Sequence, residues 1–305
     1  MTDRISSFSQ TSQLIKNNLR VESEYAKKQE QISSGQKSES YQGIATDTQR
    51  ILSLESDYNR ITAQSENTET ALNRTQASYK ALGEVITRGQ AFAADLNAAI
   101  SSTGVTDEQL AQLAEQVLEG LASSLNEQLN GRFLFGGSAT KTPPIDLTDP
   151  GFGGATYTAP GPSLPNTEYY QGNDYQHSVE ASDGFVVNYG ITADSPEIEQ
   201  IIRAYDLIRT TPDDEDTLIE ALNLLQDGLD NLATTQAGVA QTSNVLDAKI
   251  DENLEEINLL DSLIVDMKEV DLAEVSIQLQ ALEAQLEASY AVTTKLLNLN
   301  LTDYI

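Results

Sequence analysis

The sequence predicts a mainly α protein: a long antiparallel helical rod or bundle made from both chain ends, carrying a small β-rich inserted central domain. The first observation is that all eight prolines lie between Pro143 and Pro212. Proline removes an N–H donor and clashes with the preceding helical turn, so only the proline-free ends can form long helices. The second observation is a heptad pattern in the first arm, and the third is a concentration of Gly, Pro, Phe and Tyr in residues 131–190.

These observations divide the chain into three parts. Residues 1–37 and 271–305 are predicted terminal helices that form coiled coils on assembly. Residues 38–137 and 195–270 are predicted to form a helical rod domain, and residues 138–194 a small β-rich inserted domain. Because the two ends run back alongside each other in such a hairpin, this layout favours an assembly subunit over an enzyme.

The first arm contains a long heptad seam. From Ile51 to Ile100, apolar and small residues recur in alternating steps of three and four over seven repeats. The corresponding helix would be about 75 Å long. Since the seam includes Ser65, Thr68 and Gly89, we expect this helix to pack against other helices of its own chain rather than against a copy of itself.

Local signals mark the next helices. Thr106 with Gln109 predicts a capping box, followed by a helix that continues through Leu129. The residues 195–197, Ser-Pro-Glu, predict another helix start, with proline at the tolerated first position. The acidic run 213–216 suits the positive end of a further helix, and its spacing does not match a calcium loop.

Both chain ends carry short amphipathic stripes, which are the candidate assembly interface. The stripes consist of Ile5, Phe8, Ile15 and Leu19 at one end and Leu272, Val275, Leu279, Leu282, Leu286 and Leu296 at the other. Each buries too little apolar surface to form a stable isolated helix in water. Two interpretations remain open: the ends become ordered when subunits assemble, or they complete a bundle within one chain. The first end is slightly basic and the second acidic, but exposed ion pairs contribute little.

The centre of the chain predicts strands and no reactive site. Short alternating stretches at 156–158, 168–170, 175–179 and 184–189 are typical of strands between turns. The chain has no cysteine and a single histidine, His177, which argues against a zinc site or a Cys–His pair. No Gly-x-Ser-x-Gly elbow occurs, and the glycine-rich residues 151–154 lack a following Lys-Ser/Thr. We therefore predict no catalytic, cofactor-binding or metal-binding residues and no enzyme activity.

Charge and hydropathy argue against several classes of binding partner. The net charge is −29, with −5 in residues 1–140 and −24 in residues 141–305. Such a surface repels nucleic acids and anionic lipids, so we expect neither as a partner. No apolar run approaches the roughly 20 residues of a membrane span. The first 20 residues show no apolar core of a secretory signal peptide.

Four segments carry a family resemblance. The first is Arg4-Ile5-Ser6-Ser7, and the second is Gln-Ile-Ser-Ser-Gly-Gln-Lys at 31–37, followed by Gly-Ile-Ala at 43–45. The third is Asn-Gly-Arg-Phe-Leu-Phe-Gly-Gly-Ser at 130–138, with Thr-Pro-Pro-Ile at 142–145. The fourth is residues 297–305. The chain resembles the flagellin-like family of bacterial flagellar axial proteins, and within it the hook-associated protein 3 family. The motif residues are Gly131, Arg132, Phe133, Leu134, Phe135, Gly136, Gly137, Pro143 and Pro144. Residues 40–43 depart from the pattern, since many relatives have a proline or an acidic pair there.

The resemblance implies a structural subunit without catalysis. It would form a ring by self-association, join the flagellar hook to the filament and help seed filament growth. Its implied partners are another hook-associated protein on the hook side, flagellin on the filament side and an export chaperone. The implied location is extracellular, after export through the flagellar type III channel without a cleaved signal peptide. Two alternatives remain: a short flagellin that forms the filament itself, and a secreted binding or adhesin-like protein that binds through its insert.

Overall fold

A computed structural model describes residues 2–38, 47–101, 106–159 and 161–302, and within these the side chains of 12–38, 47–101, 106–159 and 161–295. The predicted mainly α fold is confirmed. The helices are α1 (Thr2–Ser34), α2 (Thr48–Ser101), α3 (Asp107–Leu125), α4 (Pro196–Thr210), α5 (Glu215–Lys268) and α6 (Leu272–Thr302). The strands are β1 (Gln128–Leu129), β2 (Arg132–Phe133), β3 (His177–Ser182) and β4 (Phe185–Tyr189), paired as two antiparallel hairpins.

The chain contains two compact units. The terminal unit comprises residues 1–59 and 257–305, and the central unit comprises residues 60–256. α1 and α6 lie in the terminal unit, whereas α3, α4 and all four strands lie in the central unit. The three-part division predicted above follows composition rather than contacts, and it stays a prediction.

The heptad seam of α2 faces the core of the central unit. Ile61, Leu82 and Leu96 are almost fully buried. Thr68 and Thr75 are buried on the same face, and each hydroxyl donates to the carbonyl four residues earlier, at 2.7 and 2.8 Å. This back-bonding satisfies the hydroxyls inside the helix, so polar residues in the seam cost little.

α3, α4 and the first half of α5 supply the rest of this core. The rings of Phe92 and Tyr205 meet edge to face, with centroids 5.2 Å apart. At Gly89, an added Cβ would lie 2.6 Å from Leu229 Cδ2. The helices therefore approach closely at this point because the seam has no side chain there.

α3 begins as predicted and ends earlier. Thr106 and Gln109 form the capping box, with hydrogen bonds of 3.3 and 3.1 Å. The prediction that the helix continues through Leu129 is wrong. Asn130 and Gly131 have φ of 52° and 73°, which forms the tight turn that joins β1 to β2. This local turn chemistry outcompetes the apolar periodicity that suggested a longer helix.

The starts of α4 and α5 agree with the sequence. Pro196 occupies the first turn of α4, as predicted. The carboxylate of Asp214 accepts a 3.0 Å hydrogen bond from the N–H of Thr217 and so caps α5. Within the described ranges, no cluster of three His, Asp or Glu residues is arranged to hold a metal ion. Likewise, none of the described helices is both long and apolar enough to cross a membrane.

The β3–β4 hairpin confirms two of the four predicted strand regions. It packs on α2 and α5 through a small cluster of buried residues, Ala71, Leu72, Ala181, Val187 and Leu246. The strand predicted at 156–158 is wrong, because this stretch lies along α4 and the N–H of Ala155 donates to the Asp206 carboxylate at 2.8 Å. The strand predicted at 168–170 is reduced to one bridge between Tyr170 and Ile145.

Candidate assembly interface

α1 and α6 pack against each other in the terminal unit. Side chains of reduced exposure recur in steps of three and four on both helices. They are Leu14, Asn18, Val21, Tyr25, Lys28 and Ile32 on α1, and Val275, Leu279, Leu282, Leu286, Ser289 and Thr293 on α6. This is the spacing of a coiled-coil seam. The pairing is the arrangement that the intramolecular interpretation of the stripes predicts.

Polar groups connect the two helices within the seam. The hydroxyl of Ser289 donates to the side-chain oxygen of Asn18, which is itself buried. The hydroxyl of Tyr290 donates to the Glu22 carboxylate, and this hydrogen bond raises the pKa of Tyr290. Among the described side chains, hydrogen bonds rather than salt bridges join α1 to α6. A polar pair inside an apolar seam fixes one register, since any shift would bury it without a partner.

The turn after α1 is fastened to the turn between α5 and α6. Gly35 ends α1 with a φ of 70°, a conformation that glycine adopts without steric cost. Its carbonyl accepts a 3.0 Å hydrogen bond from the N–H of Val270, and the N–H of Lys37 donates to Lys268 at 2.7 Å. The Lys37 ammonium donates to the carbonyl of Met267 at 2.8 Å. The Ser-Ser-Gly-Gln-Lys sequence thus supplies both the αL cap and a cation for the negative end of α5.

The predicted interface residues separate into two groups. Val275 is buried and Leu279, Leu282 and Leu286 are half-buried in the α1–α6 seam. In contrast, Ile15, Leu19 and Leu272 are 50%, 60% and 48% exposed, outside that seam. The predictions for Ile5, Phe8 and Leu296 fall on side chains outside the described residues. The α1 side of the seam was missed, because Asn18 and Lys28 interrupt its apolar pattern.

Further apolar side chains lie exposed beside the seam. On α6, Ile277 is 68% exposed and Val292 is 47% exposed. Together with Ile15 and Leu19 on α1, they are the exposed apolar side chains outside the seam, a set that we call the outer stripe. Several exposed aliphatic side chains on one helix pair are typical of an interaction surface. Ile277 was not predicted, although its four-residue distance from Ala273 and Ala281 would have shown a second, weaker stripe.

The middle of the resemblance motif, residues 133–137, lies in the interior of the central unit. Phe135 is fully buried, and its carbonyl accepts a 3.0 Å hydrogen bond from Ala193. Gly137 approaches Asn173 so closely that an added Cβ would lie 2.2 Å from the Asn173 carbonyl oxygen. The Asn173 side chain binds both the N–H and the hydroxyl of Ser138, at 2.9 and 2.7 Å. The motif therefore builds a rigid backbone junction.

The Thr-Pro-Pro-Ile continuation completes this junction. The side-chain amide of Asn126 donates to the Ile145 carbonyl and its oxygen accepts from the Ile145 N–H, both at 2.9 Å. The Pro144 carbonyl accepts a 2.9 Å hydrogen bond from the N–H of Gln171. Since Asn126 directly follows α3, these contacts attach the irregular segment to the end of that helix. Pro144 thus acts in the fold of the central unit, whereas Pro143 is exposed.

The comparison with protein families gives a specific match. The family described as the bacterial flagellin N-terminal helical region matches residues 5–140. Residues 5–140 are similar to the flagellin N-terminal helical region. The matched region contains α2, α3 and the first hairpin, and the match confirms the resemblance based on the Ile-Ser-Ser-Gly and Asn-Gly-Arg-Phe segments. A search of curated proteins gave no match.

Solved structures share the fold of about three quarters of the chain. A putative flagellar hook-associated protein from Vibrio parahaemolyticus has 18% identity and a TM-score of 0.58, covering 74% of this chain and 100% of its own. FlgL from Bacillus cereus has 14% identity and a TM-score of 0.52, covering 71% and 99%. Flagellar hook-associated protein-3 from Legionella pneumophila has 10% identity and a TM-score of 0.53, covering 71% and 98%. The fold is that of flagellar hook-associated proteins, and with the flagellin region it supports a structural role in the flagellum.

Proposed function

We propose that this protein is the subunit of a ring that joins the hook of a bacterial flagellum to its filament and helps seed filament growth. The observation that carries this proposal is the outer stripe. α1 and α6 bury one face against each other, yet Leu19 and Ile277 remain 60% and 68% exposed on their other faces. Covering a leucine-sized side chain in an interface contributes about 1.5–3 kcal/mol. A subunit whose terminal helices already pair within the chain can therefore gain further free energy by packing against copies of itself.

The partners follow from this arrangement and from the relatives. Copies of the chain meet through the outer stripe, another hook-associated protein binds on the hook side, and flagellin binds on the filament side. An export chaperone covers the same apolar stripe before assembly, since exposed aliphatic side chains promote nonspecific association. The protein acts outside the cell and reaches the flagellum through the type III export channel without a cleaved signal peptide.

A reconstitution experiment tests the proposal. Purified protein is mixed with flagellin monomers and a hook preparation, and filament growth is followed by negative-stain electron microscopy. Leu19→Asp should abolish filament seeding while leaving the thermal unfolding of the isolated subunit unchanged, because Leu19 lies outside the α1–α6 seam. Leu164→Asp is the matched control, since Leu164 is 80% exposed in the central unit. This variant should seed filaments as well as the wild-type protein does.

Two results would oppose the proposal. If the protein alone polymerises into long filaments, it is a short flagellin, in line with the family name of its N-terminal region. If Leu19→Asp seeds filaments as well as Leu164→Asp does, the outer stripe is not the assembly surface. A protein that neither assembles nor seeds would instead favour a secreted binding protein.

A further inference from the structure

The central unit contains an open cleft of about 530 Å³. It lies between the β3–β4 hairpin, the start of α4 and the middle of α5. Three aromatic rings form one wall: His177 stacks on Tyr189 with centroids 5.7 Å apart, and Tyr175 meets His177 edge to face at 5.4 Å. Nothing in the assembly role described above uses these rings.

Burial favours the neutral form of His177 in the aromatic wall. His177 Nε2 lies 3.0 Å from the carbonyl oxygen of Gly137, so this nitrogen carries the hydrogen and donates. Burial lowers the pKa of His177. Tyr175 is 52% exposed, which leaves part of its ring available to a bound molecule.

The rest of the lining offers a mixture of donors and acceptors. Hydroxyl and amide groups come from Gln176, Asn188, Thr192, Thr235 and Thr242. Two carboxylates, Asp174 and Glu197, also line the cleft, and Glu197 accepts a 2.8 Å hydrogen bond from Thr235. Among the described residues that line the cleft there is no Lys or Arg.

A helix glycine widens the cleft at some cost in stability. Glycine inside a helix is less stable than alanine. At Gly89 and Gly228, packing explains the choice, because an added Cβ would lie 2.6 Å from Leu229 and 2.8 Å from Ile201, respectively. At Gly238, in the interior of α5, an added Cβ would meet nothing within 4 Å. Gly238 lines the cleft, so its missing side chain keeps this space open.

We propose that this cleft binds an uncharged polyhydroxylated ligand, the chemistry of a neutral saccharide unit. An anion would face two carboxylates without a compensating cation among the described lining. A cation would leave the amide and hydroxyl donors of the cleft unpaired. A sugar both donates and accepts hydrogen bonds, and the apolar face of its ring packs on an aromatic side chain. At about 0.3 kcal/mol for each of its roughly 12 non-hydrogen atoms, one sugar would bind with a Kd on the order of 1 mM.

The experiment uses the full chain and a panel of neutral sugars. Binding of glucose, galactose, N-acetylglucosamine and lactose is measured by saturation-transfer NMR, followed by titration of the best ligand. Tyr175→Ala and Asp174→Asn should each weaken binding about tenfold. Gly238→Leu should abolish it while leaving the melting temperature equal or higher, because leucine favours helix and fills the open space.

Matched controls separate loss of the cleft from loss of the fold. Tyr79→Ala removes a 44% exposed tyrosine outside the cleft and should bind like the wild-type protein. The absence of saturation transfer to all four sugars at about 10 mM would overturn the proposal, since a Kd of that order would be detected. It would be overturned equally if tetramethylammonium or inorganic phosphate bound more tightly than the sugars, or if Gly238→Leu bound like the wild type.

Discussion

Replacing Gly137 with alanine should destabilise the central unit far more than one methyl group suggests. Gly137 has a φ of 61°, and a non-glycine residue in this region costs about 1–2 kcal/mol. Its new Cβ would lie 2.2 Å from the Asn173 carbonyl oxygen and 2.4 Å from Asn173 Oδ1, so Asn173 must move. That movement breaks the two hydrogen bonds to Ser138, each worth about 1 kcal/mol.

The expected loss is therefore about 3–4 kcal/mol. For a unit of this size, it corresponds to a fall in melting temperature of roughly 6–16 °C. The assay is thermal unfolding followed by circular dichroism at 222 nm, where the helices dominate the signal. Gly131→Ala is the matched control: Gly131 has a φ of 73°, but an added Cβ would meet nothing within 4 Å. The control should lose only the 1–2 kcal/mol of backbone strain, and equal melting temperatures for the two variants would refute the argument from close approach.

Three more predictions concern charged and titratable groups. Arg203→Met should lower the free energy of unfolding in urea by about 3–5 kcal/mol, because it leaves the buried Glu199 carboxylate without the guanidinium 3.2 Å away. Adding Glu199→Gln should restore part of this stability. A double variant no more stable than Arg203→Met would contradict the pairing. Burial lowers the pKa of His177 below its unfolded value of 6.5, so the neutral form stabilises the fold above that pH and this contribution decreases as the pH falls. The melting temperature of the wild type should therefore fall more than that of His177→Gln between pH 7.5 and 5, and parallel curves would exclude this effect. Lys37→Met should speed the exchange of backbone amide hydrogens around Lys268 and Val270 about threefold. This factor corresponds to the loss of about 0.6 kcal/mol of stabilisation at the end of α5. Unchanged exchange would show that the ammonium contributes nothing.

Periodicity predicted the long helices well, because it reflects which face is buried. The seam of α2 could be identified from residues such as Ile61 and Leu82 even though threonine and serine interrupt it. The hydroxyls of Thr68 and Thr75 bond to their own helix, so they behave as small seam residues. Capping residues predicted the start of α3 for a similarly local reason.

The end of α3 and the irregular centre could not be predicted in the same way. Residues 126–129 could continue α3 by their local pattern. The Asn130–Gly131 turn and the hydrogen bonds of Asn126 with Ile145 stabilise a non-helical conformation instead. At Ala155, the backbone N–H donates to Asp206 of a distant helix rather than to a neighbouring strand. Such side-chain contacts depend on tertiary structure, which a local pattern does not contain.

The α1–α6 seam was predicted in part, whereas the assembly interface itself stays a prediction. The stripe of α6 was identified because Leu279, Leu282 and Leu286 are apolar at heptad spacing. The partner face on α1 was not, since Asn18 is a buried polar residue whose role depends on Ser289 at the other end of the chain. Apolarity alone pointed to Ile15 and Leu19, which are exposed in the subunit and which we propose to be covered only on assembly.

The fastening of the turn after α1 to the end of α5 also sets an order of events during synthesis. Lys37 and Met267 are 230 residues apart in sequence. At roughly 5–20 residues per second, a ribosome takes on the order of 10–50 s to produce the residues that complete this contact. Throughout that interval α1 has neither its helix partner nor its anchored turn. A segment that is made about 230 residues before its partner thus waits to find its place, which gives a binding protein time to capture it.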